Sequence, residues 1–144
     1  MLYCRRGTPL VLIATLAVGC SYPGEKVADV RRTAQQAYAE GLTAFDAKDR
    51  TLAEQKFPAA IDAGGLNPDS YMDAAVKRAV CWAAASKSDD ALAELAKLES
   101  GGGPPDSISI ARSYVLRKQG KAAESRAALA KARQYNRTVQ EFKD

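Results

Sequence analysis

The sequence has no histidine, and its 144 residues include only three cysteines, one tryptophan and three phenylalanines. Lack of histidine removes the commonest general base and the commonest metal ligand together. No acidic pair stands at convincing spacing with a polar partner, and no Asp-x-Asp-x-Asp loop suits calcium. Gly101-Gly102-Gly103 runs into Pro104-Pro105, where a phosphate loop needs Gly-Lys-Ser/Thr. There is no basic-aromatic module of the nucleic-acid-binding kind. The chain therefore reads as a non-enzyme with no metal, no cofactor, no small-molecule substrate and no nucleic-acid partner. Long apolar runs are also missing. The longest, residues 10–18, covers nine residues with Thr15 as its mild exception, against about 20 for a membrane-spanning helix.

That short run has export flanks. Arg5 and Arg6 precede it and small residues follow, which is the order of a secretory signal and not that of a buried helix in the mature fold. Ala17-Val18-Gly19 fits ordinary small-x-small cleavage, which would release a soluble protein beginning at Cys20. The string Leu16-Ala17-Val18-Gly19-Cys20 also resembles the lipobox of bacterial lipoproteins. That resemblance implies a signal peptide over residues 1–19 and a covalent lipid on Cys20. A lipidated tether over 20–27 would then hold the protein to a membrane without spanning it. By the same resemblance to Gram-negative lipoproteins, Ser21 in place of aspartate favours the periplasmic side of the outer membrane.

With Cys4 lost in the signal and Cys20 acylated, Cys81 stands alone and no intrachain disulfide forms. Among alanines and beside Trp82 it reads as a small buried hydrophobe, with no histidine to activate it. Charge is uneven along the chain. Residues 20–106 hold ten Lys and Arg against fourteen Asp and Glu, whereas residues 107–144 hold nine against three. This is either a solvated helical surface or a basic end that meets anionic headgroups or an acidic partner.

Alanine is abundant and β-branched residues are few outside the signal, a composition that favours helices. A spacing recurs within them. Gly41, Ala53, Phe57 and Ala60 are matched by Ala79, Ala91, Leu95 and Leu98, and again by Ser113, Ser125, Leu129 and Ala132. A small residue on each of two helices lets their backbones approach, and the bulky one fills the space beside them. These spacings resemble the tetratricopeptide repeat. The resemblance implies an all-α fold of three stacked antiparallel helical hairpins, a tetratricopeptide-like α-solenoid over residues 28–144 with units at 35–68, 69–102 and 105–140. The consensus tryptophan is missing from all three, and an unrelated helical bundle is the alternative.

Helices are expected at 26–47, 51–63, 69–86, 88–99, 105–119 and 121–140. Thr51 is the expected cap of the second, and Ser88-Asp89-Asp90 starts the fourth. Pro58 should kink the second helix or delay its start, because its ring meets the carbonyl of Glu54. Residues 100–105, SGGGPP, are the expected hinge.

The repeat resemblance implies a concave groove lined by the first helices that takes a peptide. By spacing its candidates are Tyr38, Leu42, Phe45, Val76, Val80, Tyr114, Arg117 and Lys118: an apolar floor with a basic end. Tyr38, Leu42 and Phe45 read equally as core, and the convex face or an edge stays open as the binding surface. The expected function is a membrane-anchored periplasmic protein–protein interaction module, similar to pilotins and other assembly lipoproteins that help a secretin or pilus component. The alternative is a structural or peptidoglycan-associated envelope lipoprotein without dedicated cargo. An envelope protein or peptide segment is the expected partner, with homo-oligomerisation through the groove as a further option.

Overall fold

The computed structural model describes residues 23–143. Residues 10–18, the cleavage site and Cys20 lie outside the described residues. Six helices follow in order: α1 (Pro23–Asp46), α2 (Arg50–Asp62), α3 (Pro68–Ala84), α4 (Ser88–Ser100), α5 (Pro105–Lys118) and α6 (Ala122–Tyr135). Among the described residues there are no strands. No helix among them is long and apolar enough to cross a membrane.

Each helix packs on the next in sequence. In addition α3 packs on both α1 and α5, whereas neither α1 nor α2 packs on α5 or α6. Core residues therefore come from neighbours in the chain order, centred on α3 and α5. Fully buried Phe57, Val80, Leu95, Ile108, Tyr114 and Val115 are its largest members, each contributing about 1.5–3 kcal/mol by leaving water.

Paired helices meet where the small residues stand. Gly41 faces the Phe57 ring so closely that an added Cβ would lie 2.8 Å from it. Ala53, Ala79 and Ala91 are wholly buried. In the α5–α6 pair the same positions are serines. Ser113 Oγ donates to the Ser125 carbonyl at 2.9 Å, and Ser125 Oγ donates to the Ser113 carbonyl at 2.8 Å. Two buried hydroxyls thus satisfy each other's backbone across the contact.

The turns repeat as well. Lys48 (φ 66°), Ser86 (φ 63°) and Gly120 (φ 75°) take the left-handed conformation at the matching point after α1, α3 and α5. Each is followed by a backbone N–H that closes on the preceding helix: Asp49 on Ala44, Lys87 on Trp82 and Lys121 on Leu116. Only the third site has the residue that this backbone favours.

Local chemistry sets the helix starts. Asn67 accepts from the Ser70 N–H at 2.8 Å, and Pro68 supplies the first turn of α3. The cap of α2 is Asp49 and not Thr51: its carboxylate accepts from the Leu52 N–H at 2.9 Å, leaving Thr51 inside the first turn. α4 begins at Ser88 as expected, with Asp89 and Asp90 in its first turn. α1 begins at Pro23, so the stretch 23–27 expected as tether is helical. α2 runs unbroken through Pro58 and begins at Arg50, so the proline does not delay it.

The expected hinge at residues 100–105 is instead a tight helix end. Gly101, Gly102 and Gly103 N–H groups bond to the carbonyls of Lys97, Glu99 and Leu98. A Cβ on Gly103 would lie 2.8 Å from both the Leu98 carbonyl and the Met72 methyl. The largest departure concerns α6, which ends at Tyr135. Asn136 stops it: its side-chain oxygen accepts from the Thr138 N–H at 3.1 Å and from the Thr138 hydroxyl at 2.8 Å. The chain then turns back towards α1.

Two substitutions check this account in urea unfolding. Gly41→Val is expected to destabilise the protein by about 1–3 kcal/mol, because the Phe57 ring is fully buried and has nowhere to go. Ser86→Gly is expected to raise stability by about 0.5–1 kcal/mol by relieving the left-handed backbone.

Candidate functional site

The candidate surface is built from α1, α3 and α5, with α3 packed on both of the others. At its α1–α3 end, the Tyr38 hydroxyl donates to Asp73 Oδ2 at 2.6 Å, and Asp73 also pairs with Lys77. Burial first, then the hydrogen bond and charge of Asp73, push the Tyr38 phenol well above its ordinary value. Tyr38 and Phe45 both lean on the core ring Phe57, at centroid distances of 6.5 Å and 6.1 Å.

Phe45 joins this end to the basic one. Arg50 stacks its guanidinium 3.8 Å from the Phe45 centroid and donates from Nη1 to the Phe45 carbonyl at 3.0 Å. On α5, Arg117 and Lys118 lie 5.3 Å and 5.6 Å from the Tyr114 ring.

Between Phe45 and Tyr114 lies a residue from the segment after α6. Phe142 presents its ring edge-on to both, at 5.7 Å from Phe45 and 6.4 Å from Tyr114. Its backbone is held by cations. Arg117 donates to the Phe142 carbonyl, while Lys48 and Arg50 donate to the Lys143 carbonyl at 3.0 Å and 2.9 Å. Beside it, the Glu141 carboxylate pairs with Arg117 at 3.2 Å and Arg133 at 3.3 Å. The segment thereby links α1 to α5, two helices that do not pack on each other.

Among the sequence candidates, Phe45, Tyr114 and Arg117 come together around this segment, with Lys118 next to them. Tyr38 and Leu42 are half-buried on the α1 side. Val80 is fully buried and Val76 nearly so, which puts both in the core cluster. Sequence reasoning missed Phe142, Glu141, Lys48 and Arg50. Two signals pointed to the segment after α6: a lone phenylalanine in an otherwise polar stretch, and Asn136-Arg137-Thr138 as a helix stop.

Part of the basic surplus is spent internally. Glu99 on α4 accepts from Arg112 at 2.6 Å and Lys131 at 2.9 Å, and these contacts, Lys131 first, hold its carboxyl below the usual range. No group of His, Cys, Asp and Glu among the described residues could hold a metal ion. Cys81 is fully buried in the core. Burial pushes its thiol up to about 12, opposed by the Arg50 charge and assisted by Glu54. No family model and no curated protein matches the chain.

Two measurements follow from these environments. Alkylation mapped by mass spectrometry should leave Cys81 unmodified in the native chain at pH 8 and label it fully in urea. For Tyr38, a phenol raised on folding adds stability that is complete below the unfolded value of about 10 and is lost as pH climbs past it. Tyr38→Phe should therefore flatten the loss of stability in the alkaline limb, and an unchanged slope would contradict the assignment.

Proposed function

We propose that the chain is a lipid-anchored periplasmic interaction module of the bacterial outer membrane. In this reading its six helices form three stacked tetratricopeptide-like hairpins, and their first helices make a groove that receives an extended segment of an envelope protein. The observation that carries the reading is the receipt, on this face, of a backbone without regular secondary structure. Phe45 and Tyr114 take a side chain, and three cations take consecutive main-chain carbonyls. Carbonyl recognition suits any extended chain, and the flanking pockets add selectivity.

The stack itself is supported by the recurrence of the small-residue contacts and by the left-handed turns at residues 48, 86 and 120. The packing of α3 on α1 and α5, without contact between the outer pairs, has the nearest-neighbour character of a repeat array. Anchoring through Cys20 would raise local concentration, so that a modest groove affinity suffices at the membrane. A pilotin-like role, guiding a secretin or pilus component, is one specific form of this function.

Two experiments test it. Mass spectrometry of the native protein should find a chain that begins at an acylated Cys20. Retention of residue 1, or an unmodified thiol at the new N-terminus, removes the anchor. Crosslinking from a photoreactive residue at Leu42 in intact envelopes should give one dominant, saturable partner, and its yield should fall at least tenfold when Arg117 and Lys118 are reversed in charge. An unchanged partner list would remove the groove from the function, and recovery of cell-wall material alone would favour the structural alternative.

A further inference from the structure

The segment that occupies the groove comes from the chain itself, and what holds it describes what else would fit. Its fixings are of three kinds: an aromatic ring between two rings, carbonyls held by Lys48, Arg50 and Arg117, and an acidic side chain between Arg117 and Arg133. None depends on the covalent link to α6. All of them can be supplied by another polypeptide with an acidic residue followed directly by an aromatic one.

The same contacts are weak enough to exchange. Glu141 and Phe142 are only half-buried, and Lys143 is exposed. The Arg117–Glu141 and Arg133–Glu141 pairs have side chains 41 % and 55 % exposed on the arginine side, and such pairs contribute little against water. Arg50 spends Nη1 on the Phe45 carbonyl and Nη2 on the Lys143 carbonyl, while its buried Nε has no partner. A segment with one more acceptor at that point would satisfy a donor that the resident chain leaves unmet.

We propose that residues 141–143 are a resident imitation of the partner. The groove recognises an extended acidic–aromatic segment, Glu-Phe in kind, and a partner bearing that pair displaces the chain's own copy. This rests on the peptide-groove reading above and adds the chemistry of the ligand and a built-in competitor. A short tether gives the resident segment an effective concentration in the millimolar range. A free segment with an affinity of about 0.1 mM is then weakened about tenfold, so only a partner that binds better than the resident copy, or is itself concentrated, gains entry.

The test is a titration of the full chain in detergent with a fluorescent peptide of residues 136–143, NRTVQEFK. Wild type is compared with Phe142→Ala and, as a surface change that spares the rings, Glu141→Lys. Circular dichroism verifies that each keeps its helix content. The peptide should bind Phe142→Ala about tenfold more tightly than wild type, and Glu141→Lys more tightly by a smaller factor. The gain should vanish when Arg117→Glu is added, or when alanine replaces the peptide's phenylalanine. Equal affinity for all three folded chains overturns the proposal, as does binding insensitive to Arg117→Glu. A wild-type dimer that dissociates in Phe142→Ala, with no gain in peptide binding, would assign the segment to a second copy and also overturn it. If the titration fails while Leu42 still captures an Arg117-dependent envelope partner, imitation falls and the interaction module stands; the converse result sinks the module alone.

Discussion

The close approach of small residues between paired helices is the constraint on which the rest of the molecule depends. Gly41, Ala79 and Ser113 on the first helices have their counterparts in Ala53, Ala91 and Ser125 on the second, and these side chains are all buried or absent. Beside the first two contacts the space is filled by wholly buried Phe57 and Leu95, whereas Leu129, beside the third, is only half-buried. The first helices are left side by side, with α3 touching both α1 and α5. A bulkier residue at any of these positions would push its pair apart and open the face on which Phe45 and Tyr114 stand.

The spacing of small and bulky residues made the six helices legible, because close packing demands particular sizes at particular intervals. Asn67-Pro68 was legible for a similar reason, since one residue caps and the next preorganises the first turn. Thr51 misled because Asp49, within the same connection, offers the better acceptor. The glycines of SGGGPP suggested freedom, whereas Gly103 is there because a Cβ would strike Leu98, Met72 and Ile108. The path of residues 136–143 was the least readable. Helix-favouring composition carried the expected α6 through it, and the decisive contact joins Phe142 to Phe45, nearly a hundred residues away in sequence. Local pattern does not encode such a pairing; only a stray aromatic and an Asx-type stop hinted at it. Phe45, Tyr114 and Arg117 had been singled out by helical spacing, but the spacing did not point to Phe142, which touches all three.

Charge follows the same architecture. The excess of positive residues after position 106 is drawn towards acids from other elements, Glu99 between Arg112 and Lys131, and Glu141 between Arg117 and Arg133. What sequence counting registers as a basic end is, in three dimensions, a set of cross-ties that orient α6 and hold the returning chain. Arg50 and Arg117, which lie over the Phe45 and Tyr114 rings, also donate to the Lys143 and Phe142 carbonyls, so ring contact and backbone contact arise from one set of groups.

The serine pair between α5 and α6 has a mechanical consequence. Alanine against glycine tolerates a small rotation or slide, whereas two reciprocal hydroxyl-to-carbonyl bonds, at 2.9 Å and 2.8 Å, fix a single setting. From Ser125 to the end of α6 is about 15 Å at the rise of an α-helix. A tilt of roughly ten degrees at the serines would therefore swing the far end by about 3 Å, comparable to the width of an aromatic ring. The hydroxyls act as the pivot bearing of a lever, and the aim of Phe142 is decided at a point well removed from the rings it meets.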